Sequence, residues 1–257
     1  MRKYTRKFGI EFEFECSWER LKKCASKAIK NTYGPRKYYA KEERFSSDFQ
    51  TNKWHIKEEN TAVSELTTPI STLRDVKSIC EVIDELRKDL IRPQEDCGIH
   101  IHIDVPDIDI YHIMSGWLLS ERAIISCFPA FRRRNGFCEK ILDHPSASRS
   151  QIAKYLENKT DMATHSEAID LTGYQDNKTI EIRLCEGSVD PEWIRAWIIF
   201  VINWVEFVKA KNPSLLPCEK CNSLDFEHLL DEMHLDKKTE SVMKDRYERY
   251  KKDPYWV

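Results

Sequence analysis

His100, His102 and Asp104 occupy alternate positions of the stretch CGIHIHID, residues 97–104, with Ile99, Ile101 and Ile103 between them. In an extended strand neighbouring side chains point to opposite faces. One face is then apolar and continues to Val105, while the other carries Gly98, two imidazoles and a carboxylate. Imidazole and carboxylate in company bind metal ions or move protons. A half-buried strand whose polar face meets water is the plain alternative, and one segment alone does not separate the two.

Three further segments repeat the design. In FGIEFEFEC, residues 8–16, Glu11, Glu13 and Glu15 share a face opposite Phe8, Ile10, Phe12, Phe14 and Cys16. Successive residues on one face lie ~6.5 Å apart, so the three carboxylates can converge on a cation and repel one another without it. In NKTIEIRLCEGS, residues 177–188, Ile180, Ile182 and Leu184 oppose Thr179, Glu181, Arg183 and Cys185, and HSEAIDLT ahead of the turn GYQDN can form its hairpin partner. TAVSELTTPI, residues 61–70, sets Glu65 inside a neutral, β-prone run.

Segments of helical period fill the intervals. Trp18, Leu21, Ala25, Ala28 and Ile29 form one stripe with Ser17 as N-cap. Leu73, Val76, Ile79, Cys80, Ile83, Leu86 and Leu90 form a second, stopped by Pro93. Ile113, Met114, Trp117, Leu118, Glu121, Ile124 and Ile125 continue to Pro129. A last apolar helix opens with Asp190 as N-cap and Pro191 at its first position. The economical architecture is α+β: a curved, mainly antiparallel sheet whose apolar face is covered by three or four helices. Its other face gathers Glu11, Glu13, Glu65, His100, His102, Asp104, Glu181 and Arg183 into one concavity. Residues 1–210 make the catalytic domain, and 211–257 a helical extension packed on it.

Composition narrows the function. With 257 residues, 41% of them apolar, the chain can bury a sizeable core, and a net charge of -2 gives no general attraction to nucleic acid or anionic membrane. The apolar stretch from Trp193 to Val208 contains Arg195, Asn203 and Glu206 and falls short of the ~20 clean residues of a bilayer span. Nine cysteines without a secretion signal suggest reduced thiols in a cytoplasm. Seven unclustered glycines exclude glycine-rich phosphate loops, so metal ions, arginines or helix ends must hold any phosphate. Glutamates with histidines and an arginine suit magnesium or manganese, and such ions at carboxylates usually accompany nucleotide phosphates.

FGIEFEFE, SELTTPI, CGIHIHID and IEIRLCEGSVDPEWIRAWIIF, in this order over residues 8–208, resemble the amidoligase family. That family belongs to the carboxylate-amine ligase superfamily, which includes glutamine synthetase and glutamate-cysteine ligase. The resemblance implies a glutamine synthetase-like catalytic fold and an ATP- and magnesium-dependent ligase that forms an amide or isopeptide bond through an acyl phosphate. It implies Glu11, Glu13, Glu65, His100 and Glu181 as metal ligands, His102 near the nucleotide phosphates, and Arg183 as phosphate clamp. Where the family has Asp-Gly-Ser after a tryptophan, this chain has WHIKEENT, which makes Glu59 the loose equivalent. Glu15, Asp104 and Glu59 are the candidates for the base that deprotonates the amine.

Other readings stay open on the residues alone. A zinc-dependent metallo-hydrolase would use His-x-His-x-Asp, but Val105 stands where that motif has its last histidine. A relative that only binds ligand is the third possibility. CEKC, with Cys218 and Cys221 followed by His228 and His234, is either a zinc site or a pair of spare thiols. Arg132, Arg133 and Arg134 fall in a polar loop region after Pro129, where Arg132 could meet the nucleotide. The substrates are a carboxylate, free or on a peptide or macromolecule such as a modified nucleic acid, and an amine. The identity of both, and the oligomeric state, are not legible.

Overall fold

The computed structural model describes residues 6–34, 41–42, 53–58, 64–89, 91–136, 138–139, 141, 167–213 and 224–252. Alternating segments become extended: β1 (Phe8–Phe14), β2 (Lys41–Glu42), β3 (His55–Glu58), β4 (Ser64–Thr67), β5 (Gly98–Asp104), β6 (Ile169–Asp170) and β7 (Thr179–Glu186). Their order in one open sheet is β2-β3-β4-β1-β5-β7-β6. β1 pairs antiparallel with β4 and β5, β3 with β4, and β6 with β7, whereas β2 runs parallel to β3. The expected α+β class with a mainly antiparallel sheet is what the chain forms, and the hairpin partner read before GYQDN is β6.

The described helices are α1 (Trp18–Tyr33), α2 (Val76–Lys88), α3 (Ile110–Ile125), α4 (Ala130–Arg133), α5 (Tyr174–Asn177), α6 (Pro191–Lys211), α7 (Phe226–Met233) and α8 (Lys237–Tyr250). Ser17 caps α1 by accepting the Arg20 N–H at 3.3 Å, and Asp190 accepts the Glu192 N–H at 3.0 Å ahead of α6. Two boundaries differ from the periodic reading. The strand of acids ends at Phe14, because the Cys16 N–H turns back onto the Phe14 carbonyl at 3.0 Å before Ser17 opens α1. Glu15 and Cys16 therefore lie outside β1. Helix α2 starts at Val76 rather than near Leu73, because the Asp75 carboxylate holds the Thr72 N–H and hydroxyl at 2.8 and 2.9 Å in a preceding turn. Leu90 lies outside the described residues.

Two compact units share the chain, Met1–Ile103 with Cys185–Ile198, and Asp104–Leu184 with Ile199–Val257. In the first, Phe8, Ile10, Phe12 and Phe14 of β1 and Ile99, Ile101 and Ile103 of β5 are all buried. Helix α1 buries Leu21, Ala25, Ala28 and Ile29 and packs on α2, β3 and β4. In the second, Trp117 of α3 meets Trp204 of α6 edge-on at 5.5 Å, and a Cβ on Gly116 would collide with Val208. Glycine is what lets α3 and α6 approach there. Glu121, in the apolar stripe of α3, is fully buried because its Oε1 accepts Trp117 Nε1–H and the Ile141 N–H, each at 2.8 Å. Among the described residues no helix is long and apolar enough to cross a membrane.

Candidate active site

Glu11 sits in the middle of β1 and is 9% exposed. Strand register sets it opposite His100 on β5 and Thr67 on β4, and sets Glu13 opposite Glu65. Its two oxygens face different imidazoles: Oε2 lies 3.3 Å from His100 Nδ1, and Oε1 lies 3.3 Å from His102 Nε2. The other nitrogen of His100 is 3.7 Å from Glu13 Oε1, while Glu13 Oε2 accepts the Gly98 N–H at 2.5 Å. Burial pushes the Glu11 carboxyl up, but the charge of His102 and the hydrogen bonds of His100 and His102 overcome it and hold the group well below the usual carboxylate range. Glu11 is a buried, ionised acid.

Glu65 on β4 is 3% exposed and has the opposite character. Its Oε1 accepts the Thr67 hydroxyl at 2.6 Å and lies 3.0 Å from Lys57 Nζ, which is itself 3.8 Å from Glu11 Oε1. Burial first and the charge of Glu11 second push the Glu65 carboxyl up to about 8, against the pull of Lys57 and Thr67. Sequence reasoning missed Lys57, although the alternation of WHIKE would have found it. Ile56 is buried, and Lys57 takes the other face, opposite Glu65.

In the second unit, Glu181 of β7 is buried opposite Asp170 of β6, also buried. Arg183 Nη1 donates to Glu181 Oε1, so the Glu-x-Arg pair is a formed ion pair. Asp170 is a second acid that the sequence reading passed over. The polar-loop reading of Arg132–Arg134 is corrected: Arg132 and Arg133 belong to the short helix α4 and are 1% and 7% exposed. Arg132 donates through Nη2 to the Arg183 carbonyl at 2.7 Å and through Nε to the Leu184 carbonyl at 3.2 Å. Arg133 donates to the carbonyls of Phe128 and Tyr250 at 2.8 and 3.1 Å. A guanidinium can be buried when carbonyl acceptors take the place of water, and that is how both are used.

Of the three candidate bases, Glu15 is exposed one residue beyond β1, and Asp104 ends β5 half-buried. Glu59 lies outside the described residues, as do Cys218 and Cys221. His228 has a side chain 58% exposed, 3.7 Å from Glu232, and His234 is the left-handed residue after α7.

Glu11, His100 and Glu181 are each buried, and each offers one ligand atom suited to a metal ion. Within the first unit, the carboxylate oxygens of Glu11 and Glu13 with the His100 imidazole fit a hard divalent ion. β5 is extended throughout, without the bend that the hydrolase motif requires.

The chain matches the family model described as "putative amidoligase enzyme" over residues 4–205. It belongs to this family. That description names an enzyme of the carboxylate-amine ligase kind. No curated protein matches the chain. Among solved structures, the complex between the prokaryotic ubiquitin-like protein Pup and its ligase PafA is similar at 11% identity and a TM-score of 0.45, covering 95% of this chain. The chain spans 63% of that chain's length.

Proposed function

We propose that the protein uses ATP and magnesium to join a carboxylate to an amine through an acyl phosphate, releasing ADP and phosphate. The observation that carries the reading is Glu11, buried yet ionised between two imidazoles. A buried carboxylate beside Glu13 and Glu65 is a poor device for stability and a good one for a cation. Glu11 and His100 are the residues of the first unit that would hold magnesium, with Glu13 beside them, and the family resemblance implies Glu181 as a further ligand. Magnesium, when bound, supplies positive charge that offsets the charge of a nucleotide triphosphate.

The chain's own residues do the rest. A carboxylate resists attack by an amine because it is anionic and oxide is a very poor leaving group. Transfer of the terminal phosphoryl group from ATP makes that oxygen part of a phosphate. The amine nitrogen then bonds to the acyl carbon, the bond to phosphate breaks, and a base takes the nitrogen's proton. Arg183, held by Glu181, offers a planar fork of donors to phosphoryl oxygens. His102 is the imidazole toward the nucleotide phosphates, and Asp104 and Glu15 are the described candidates for the base. Residues 1–210 are the catalytic domain and 211–257 its extension. ATP and reduced thiols point to a cytoplasmic setting.

The test is isosteric neutralisation. Glu11→Gln and Glu181→Gln should each abolish magnesium-dependent ATP consumption and weaken manganese binding measured by titration, with the protein still folded by circular dichroism. Folded variants with near-normal turnover would overturn the assignment.

A further inference from the structure

Lys57 stands where a second metal ion could bridge two carboxylates. Its ammonium lies 3.0 Å from Glu65 Oε1 and 3.8 Å from Glu11 Oε1. Strand pairing fixes this position: Lys57 is directly opposite Glu65 across β3 and β4, and buried Ile56 anchors the opposite face of β3. Glu11 is thereby divided between two cation positions. Oε2 faces His100, the imidazole assigned to the metal, whereas Oε1 faces Lys57 and His102. We propose that Lys57 is a built-in cation occupying the second position, so that this carboxylate cluster takes one divalent ion where it would otherwise take two. The inference rests on the metal reading of Glu11 and His100 and goes beyond it.

Charge and size both support it. An ammonium brings one positive charge, three donors and contacts near 3 Å, whereas magnesium needs oxygens at about 2.0–2.1 Å and carries twice the charge. A second divalent ion would have to displace an ammonium that lies within ion-pair distance of both of its carboxylates. Without Lys57, Glu11 Oε1 and Glu65 Oε1 lose the cation they share, and a second divalent ion can take its place.

Counting bound manganese decides it without any turnover. The full chain is titrated with Mn2+ alone, and free ion is read by electron paramagnetic resonance. The wild type and Lys57→Arg should bind one equivalent, and Lys57→Met two. If Lys57→Met does not fold, Lys57→Gln carries the same test with the same expected count. The double variant Lys57→Met with Glu65→Gln should return to one, since the bridging oxygen is lost. Two equivalents in the wild type would overturn the proposal, as would one equivalent of unchanged affinity in Lys57→Met and Lys57→Gln. Either result leaves the metal reading standing. No binding by the wild type would overturn that reading itself, and the role of Lys57 with it.

Discussion

Glu11 and Glu65 are neighbours across the same pair of strands, yet burial acts on them with opposite results. Two imidazoles keep Glu11 ionised, whereas Glu65, facing Glu11's charge, is pushed up to about 8. An unfolded glutamate titrates near 4.5, so between that value and about 8 the folded protein holds a proton that the unfolded chain releases. Stability from this group is complete below the lower value and lost as pH rises through the upper one. The metal-free wild type should therefore lose melting temperature from about pH 5 to about pH 8 relative to Glu65→Gln, which has no such proton to lose. Parallel melting curves for the two proteins across that range would contradict the assignment. The acids themselves were legible, because period-two alternation in FGIEFEFE and SELT sets them on one face. The difference between them was not, because it depends on His100, His102 and Lys57 arriving from other strands.

Elements were legible where a local rule decides them, as with the Ser17 and Asp190 caps and the buried faces of β1 and β5. They were misread where the deciding partner is remote in sequence. Three arginines after a proline look like solvated charge, and nothing near them reveals that Arg132 finds its acceptors at residues 183 and 184. β6 is only two residues long, and Arg132 satisfies the Arg183 carbonyl beyond its reach, bracing the strand that carries Glu181 and Arg183. Arg132→Gln should cost about 2–4 kcal/mol, since two carbonyls lose charged donors inside the fold. Denaturant unfolding measures it, and a loss within error of zero would show that β7 needs no brace. The approach of α3 to α6 gives a second test. Gly116→Ala should destabilise by about 1–3 kcal/mol, and Val208→Ala in the same chain should recover much of the loss, because the clash is with that one side chain. Simple additivity of the two changes would contradict it.

At the scale of the whole molecule, an odd cysteine count predicts thiols, and among the described residues Cys16, Cys24, Cys97 and Cys138 are free. Burial raises Cys16, Cys97 and Cys138 above the ordinary thiol range, which makes them poor nucleophiles. The family was legible from four short segments, FGIEFEFE, SELTTPI, CGIHIHID and the run that begins IEIRLCEGS. The substrates were not, because no segment of the sequence has a spacing that names one. The measurement that tests the central claim most directly is product analysis with a trapping amine. The protein is incubated with magnesium, ATP, hydroxylamine and a panel of carboxylates, and nucleotides, phosphate and hydroxamate are quantified together. The expected result is ADP, phosphate and hydroxamate in equal amounts, formed only with an accepted carboxylate. AMP and pyrophosphate in their place would mean that the acid is adenylated, and the acyl-phosphate account would be wrong.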